Sequence, residues 1–249
     1  MPTTTTTPLT NQLISALPND DRRRFLAACE SVELTFADIL AEPGAPIVHV
    51  YFPTNSFISL VTPQQDSPNL EVGMIGDEGM LGITLILGVN ISPLHAVVQG
   101  GGPVLRIGVV AFRQQLDLSP TLQRILKRYL FILIEQLAQS VACSHFHVAE
   151  ARLARWLLMT QDRAHAPHFH LTHKFLAFML GVRRVGITKA ATALQDKKLI
   201  SYRRGEIMIV DRAGLEQASC ACYNAAKLSH ASGMQMAIYD ASGIAERNP

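Results

Sequence analysis

Arg183, Arg184, Thr188 and Lys189 fall within one short stretch, VRRVGITKA, and Arg203-Arg204-Gly205 follows it. Guanidinium groups can read guanine O6 and N7 in pairs, while lysine and threonine suit phosphates or single contacts. Over residues 171–212, Lys174, Arg183, Arg184, Lys189, Lys197, Lys198, Arg203, Arg204 and Arg212 stand against only Asp196, Glu206 and Asp211. That is a local excess of +6 in a chain whose net charge is +2. Residues 1–118 have the opposite balance, five arginines against eleven carboxylates. A gradient of this kind points to a polyanionic partner for the one basic segment.

The thiols and imidazoles are the other chemistry-bearing set. Cys29, Cys143, Cys220 and Cys222 are too few and too unevenly spaced for a disulfide framework, so a reducing, cytoplasmic setting is expected. Cys220-Ala-Cys222 alone is a weak metal signal, with redox modification left open. His165, His168, His170 and His173 crowd one stretch without a thiol or carboxylate and read as a polar hinge. His145-x-His147-x-x-Glu150 has the spacing of a metal-dependent cupin enzyme, the reading from another class. On a helix, however, residues two apart point to different sides. No GxSxG, P-loop or HExxH pattern is present. The expectation is therefore a non-enzyme, with no metal and no catalytic residues.

The elements that position these residues are legible in outline. The threonine run at 3–7 is low-complexity. Residues 10–30 read as two short helices broken at Pro18-Asn19-Asp20. From 31 to 112, short β-branched or aromatic runs (48–52, 57–62, 70–75, 95–99 and 104–110) alternate with Gly and Pro turns, the texture of a sandwich or barrel. No charged residue lies between Glu78 and Arg106, but Gly88, Asn90, Pro93 and three consecutive glycines break that stretch. It reads as buried β structure rather than a membrane span, and no membrane partner is expected.

Ser119-Pro120 supplies an N-cap and a proline at the first helical position. The chain then runs to Pro167 without Gly or Pro, predicting a long helix over 119–164. Leu122, Leu126, Tyr129, Leu133 and Leu137 recur at three-to-four spacing and form the expected dimer seam. Ile125, Leu130, Phe131, Ile132 and Ile134 add apolar surface beyond that stripe. Residues 165–170 read as a linker. After Thr172 come a helix, Gly181, a second helix from about Arg184 to Lys197, then strand, Arg203-Arg204-Gly205 turn, strand: a winged helix-turn-helix. Thr172, Arg183, Arg184, Val185, Thr188, Lys189, Arg203 and Arg204 are the expected contacts to double-stranded DNA. Val185 is suited to a thymine methyl.

The segment LTHKFLAFMLGVRRVGITKAATALQDKKLISYRRGEIMIVDRAGLE (171–216) closely resembles the DNA-binding domain of the Crp–Fnr transcription regulators. VYFPTNSFISLV (50–61), VGMIGDEGMLGI (72–83), HAVVQ (95–99) and the long helix resemble that family's sensor barrel and dimerisation helix, over roughly residues 10–225. The resemblance implies an α+β chain: a double-stranded β-helix (jelly-roll) sensor over 1–118, a dimerisation helix over 119–164, a winged helix-turn-helix over 165–235, and a tail over 236–249. It also implies a homodimer on a palindromic operator, and RNA polymerase as a partner if the protein activates.

The chain departs from the family pattern in three places. Val185 stands where an acidic base reader is common, and Lys189 where a second arginine is frequent. In the barrel, Gly76, Glu78 and Gly79 match the ligand motif, but Leu94-His95 replaces the arginine step that pairs with a cyclic phosphate. These five residues are the candidate ligand pocket. The effector is left unassigned and cyclic AMP is not expected, because a charge-assisted phosphate contact is missing. The cysteines do not form the clustered N-terminal set of oxygen-sensing relatives. Control by a small-molecule or redox signal in the barrel, or by abundance alone, remain as alternatives.

Overall fold

A computed structural model describes residues 10–62 and 70–241, with side chains to residue 232. The threonine run and the last eight residues lie outside the described residues. Helices α1 (Gln12–Ser15) and α2 (Asn19–Ala27) open the chain, separated at Pro18. Asn11 caps α1 by accepting from Leu13 N at 3.1 Å, and its amide donates to the carbonyls of Pro53 and Gly79, which seats the helix on the barrel.

The barrel is two antiparallel sheets. One has the order β1-β7-β3, built from β1 (Glu30–Leu34), β3 (His49–Pro53) and β7 (Gly102–Gly108). The other has the order β2-β6-β4-β5, built from β2 (Ile39–Ala41), β4 (Phe57–Thr62), β5 (Leu70–Ile75) and β6 (His95–Gly100). This is the expected jelly roll. Four of the five anticipated strands fall where their β-branched runs lie. The fifth ends early, because Val109 and Val110 begin helix α3 (Val109–Leu118). Phe52, Ile58, Met80, Val98 and Ile107 fill the space between the sheets, each at most 1% exposed. Burying one such side chain is worth about 1.5–3 kcal/mol.

Helix α4 (Pro120–Phe146) starts as the sequence predicts, with Ser119 Oγ accepting from Leu122 N at 3.1 Å and Pro120 at the first position. The single helix expected over 119–164 is two. His147 is extended (φ −117°, ψ 143°), and α5 (Ala149–Ala164) begins afresh after Val148. No glycine or proline marks that break. It lets α5 turn its apolar face, including Leu153, Leu157 and Leu158, into a second core.

The second core holds the C-terminal elements. They are β8 (His168–His170), α6 (His173–Leu180), α7 (Arg184–Asp196), β9 (Ile200–Arg203), β10 (Glu206–Ile209) and α8 (Arg212–Ala218). The segment expected as a linker contains β8, which pairs with β10 through Phe169↔Ile207, so the wing sheet has three strands rather than two. Helix α9 (Cys222–Ala241) continues past residue 236, where a tail was expected, and packs along α4. Val61 and Met74 of the barrel belong to this second core, which joins the two bodies. No helix among the described residues is long and apolar enough to cross a membrane.

Candidate nucleic-acid interface

Helix α6 begins at Thr172, whose Oγ1 accepts from Phe175 N at 3.1 Å. It ends at Gly181 in the left-handed region (φ +60°), where the Gly181 amide closes onto the carbonyls of Ala177 and Phe178. A side chain at that φ is disfavoured, which is why glycine serves the turn between the two helices. Helix α7 then packs Ile187, Ala190, Ala191 and Leu194 inward. The two alanines allow a close approach to α5 and α6.

The opposite face of α7 is free. Arg183, Arg184, Val185, Thr188 and Lys189 are all exposed, Val185 at 60%. Thr172, Arg203 and Arg204 are exposed as well. Arg204 and Gly205 both have positive φ, which makes the wing tip a two-residue turn between Arg203 and Glu206. That turn holds both arginines out beside the N-terminal end of α7. Between them an open groove of about 370 Å³ is lined by Thr172, His173, Arg184, Gln195, Tyr202 and Arg204.

Sequence reasoning missed His173 as a positioning residue. Its Nδ1 lies 3.1 Å from Thr188 Oγ1, and its ring is 4.6 Å from that of Tyr202. Burial, aided by the Arg184 charge, holds this imidazole below its usual range. A neutral ring can accept from Thr188 and fix that hydroxyl on the exposed face. Tyr202 in turn donates to the Leu171 carbonyl at 2.8 Å, tying the wing to the start of α6. The only sequence signal for this role is the period that puts His173 and Thr188 on facing helices.

Residues 151–218 match the model of the Crp-like helix-turn-helix domain. Residues 151–218 are thus a Crp-like helix-turn-helix domain, and the chain as a whole is similar to Crp–Fnr transcription regulators. Over 176 residues the chain is 24% identical to a global nitrogen regulator from Nostoc sp., covering 67% of this chain and 79% of that one. FixK2 from Bradyrhizobium japonicum superposes with a TM-score of 0.65 at 14% identity, over 78% of this chain and 98% of that one. A CRP/FNR-family regulator from Thermus thermophilus gives 0.64 at 19%, over 76% and 98%. These two likenesses concern the fold, a jelly roll joined to a helix-turn-helix.

The candidate ligand pocket is not gathered in one place. Glu78 faces α5, where its Oε1 accepts from Arg163 Nη2 at 2.6 Å and from Nε at 2.9 Å. Burial pushes this carboxyl up, but the Arg163 charge and the backbone amides of Glu78 and Gly76 outweigh it and hold it below its usual range. Gly76 and Gly79 serve the same packing. A Cβ at Gly76 would meet Glu78 and Arg163, and one at Gly79 would meet the Tyr129 ring. Leu94 instead lines a separate apolar cavity of about 150 Å³ inside the barrel. His95, half-buried on β6, lies opposite Val61. The motif has therefore become a joint between the barrel and α5.

The expected dimer seam is also spent internally. Leu122, Leu126, Tyr129 and Leu133 are buried in the barrel core, and Leu137 packs against it. The physical reason is that α4 is apolar on more than one face, and the barrel takes this one. Among the residues α4 leaves exposed, Phe131, Ile134, Ala138 and Val141 form one stripe, with Lys127 and His145 at its ends.

Proposed function

We propose that the regulator binds a palindromic operator as a homodimer, with α7 of each subunit in the major groove. The observation that carries this reading is the division of α7: one face is buried, and the other presents Arg183, Arg184, Val185, Thr188 and Lys189 with no ion pair among the described residues. Arg184 and Val185 read bases, and Thr188 and Lys189 steady the helix. Thr172, Arg203 and Arg204 hold flanking phosphates. Two such helices would enter successive grooves about 34–36 Å apart.

The dimer forms through Phe131, Ile134, Ala138 and Val141, whose alternating three and four spacing is that of a two-helix seam. The functional division of the chain then falls at His147–Val148, since α5 shares the core of the helix-turn-helix. RNA polymerase is a further partner if the regulator activates.

A signal would enter through the barrel cavity. Its walls include Leu40, Leu60, Leu81, Leu94, Leu133 and Ile134, and no Lys or Arg is among its lining residues. A cyclic nucleotide would find no charged partner for its phosphate there, so the fitting effector is a small apolar molecule. Because Ile134 belongs to both the cavity wall and the exposed stripe, an occupant would be felt at the seam. The second reading, a regulator controlled by its own abundance, is favoured by the cavity's size, which is below the roughly 300 Å³ of ordinary ligand pockets.

Selection of the full-length protein against a random duplex library, without added ligand, tests the proposal. An enriched palindrome supports it. Binding without enrichment would point to a missing effector, and no binding even at low salt would overturn the proposal.

A further inference from the structure

Three cysteines and one histidine, far apart in sequence, converge where α4 ends. Cys143 lies in the last turn of α4, and His147 is one turn further, so both face the same side. Cys220 and Cys222 flank the start of α9 and return to that spot across a separation of 77 residues from Cys143. The four ligand atoms all lie within 4.8 Å of one another. Cys143 Sγ is 3.5 Å from Cys220 Sγ, and Cys222 Sγ is 3.5 Å from His147 Nδ1. All three thiols are free and buried, and His147 is half-buried.

These separations suit a single ion. With Zn–S near 2.3 Å and Zn–N near 2.0–2.1 Å, tetrahedral ligands stand about 3.8 Å apart for sulfur pairs and about 3.6 Å for sulfur and nitrogen. A cluster of several irons divides its thiolates among different metal atoms and needs them more widely spread. Three thiolates and one imidazole are also the ligand set of closed structural zinc sites rather than of catalytic ones.

The surroundings call for negative charge. Arg155 is buried at 8% exposure, and its Nε and Nη2 have no hydrogen-bond partner among the described residues. It shares a small void with Cys143 and Glu71. Three thiolates around a divalent cation leave one net negative charge, which would balance this guanidinium. Gln139 Nε2 donates to Cys222 Sγ at 2.9 Å, a contact that steadies a thiolate ligand.

We propose that Cys143, His147, Cys220 and Cys222 form a tetrahedral site for one zinc ion, clamping the segment behind the helix-turn-helix to the end of α4. Binding displaces the protons of the three thiols. The clamp sits at the break between α4 and α5, where the barrel and its helix meet the DNA-binding body. It fixes the angle at which α7 is presented. The site stands independently of DNA recognition, since its ligands lie outside the exposed face of α7.

The test is metal analysis of the full-length protein purified with a reductant, followed by replacement of zinc with Co²⁺. The expected result is one zinc per chain. The cobalt form should show the intense d–d bands of a tetrahedral site and thiolate charge-transfer absorption. Cys222→Ser should lower zinc retention at least tenfold and weaken the charge-transfer band, and His147→Ala should shift the d–d bands. Cys29→Ser, at an isolated thiol that burial pushes up to about 12, should change neither. If Cys222→Ser does not fold, the charge-transfer intensity of the unmodified protein still counts its thiolates. Absence of both zinc and cobalt bands, iron accompanied by labile sulfide, or a Cys143–Cys220 disulfide in the metal-free protein would each overturn the assignment.

Discussion

The exposed face of α7 and the Glu78 corner of the barrel both carry charges at positions the Crp–Fnr resemblance singles out, yet they use them in opposite ways. On α7, Arg183, Arg184 and Lys189 are left to solvent while the other face does the packing. At the barrel corner, Glu78 is consumed by Arg163, with side chains only 13% and 12% exposed. A charge kept free at the surface costs the fold little and is available to a partner. A buried, paired charge belongs to the fold, because removing either member strands the other. Matching a motif does not distinguish the two cases, but burial and pairing do.

Removing Glu78 should have the largest effect. Glu78→Ala leaves the Arg163 guanidinium buried without its carboxylate and should cost about 3–5 kcal/mol of stability, read by chemical denaturation. An ordinary surface effect below about 0.5 kcal/mol would return Glu78 to the list of free ligand groups.

On α4 the same contrast separates Leu126 from Phe131. Leu126 is fully buried and Phe131 is 60% exposed. Leu126→Ala should destabilise the chain by about 2–5 kcal/mol. Phe131→Glu should leave the fold intact and shift sedimentation from dimer to monomer at micromolar concentration. Dimerisation that survives Phe131→Glu together with Val141→Glu would remove the exposed stripe as the seam.

A third charge lies between the two regions. Glu71 accepts from Trp156 Nε1 at 3.0 Å and from Ser59 Oγ at 2.6 Å. Burial nevertheless raises its carboxyl to about 7, against smaller opposing effects of those bonds, Arg163 and Arg155. Because the folded value lies above the unfolded one, this group's contribution is full below about pH 4.5 and is lost as pH rises through about 7. The amount is about 3 kcal/mol. Glu71→Gln should flatten stability between those limits in a pH series of melts; an unchanged slope would show that Glu71 is ionised throughout.

How much of this was legible depended on whether one face of an element decides its packing. Helix α7 was readable because Ile187, Ala190, Ala191 and Leu194 leave a single polar face, and Gly181 marks the turn. Helix α4 was not, because two apolar seams run along it and only the barrel's position says which one is taken. Strand β1 (ESVEL) alternates charge with apolar residues too briefly to stand out, and β8 hides among histidines beside Pro167. The break at His147 has no glycine or proline to announce it. Cys143 and His147 gain meaning only when the fold returns Cys220 and Cys222 to them, which no local spacing records.

In the proposed complex α7 reads sequence through Arg184 and only steadies the contact through Lys189. The direct measurement is the affinity of the unmodified protein, Arg184→Ala and Lys189→Ala for the selected operator and for a scrambled duplex, each at two salt concentrations. Arg184→Ala should lose about 1–3 kcal/mol on the operator, with relaxed specificity. Lys189→Ala should weaken both duplexes alike and lower the salt slope by about one. Equal, sequence-independent losses for both variants would contradict this division of roles.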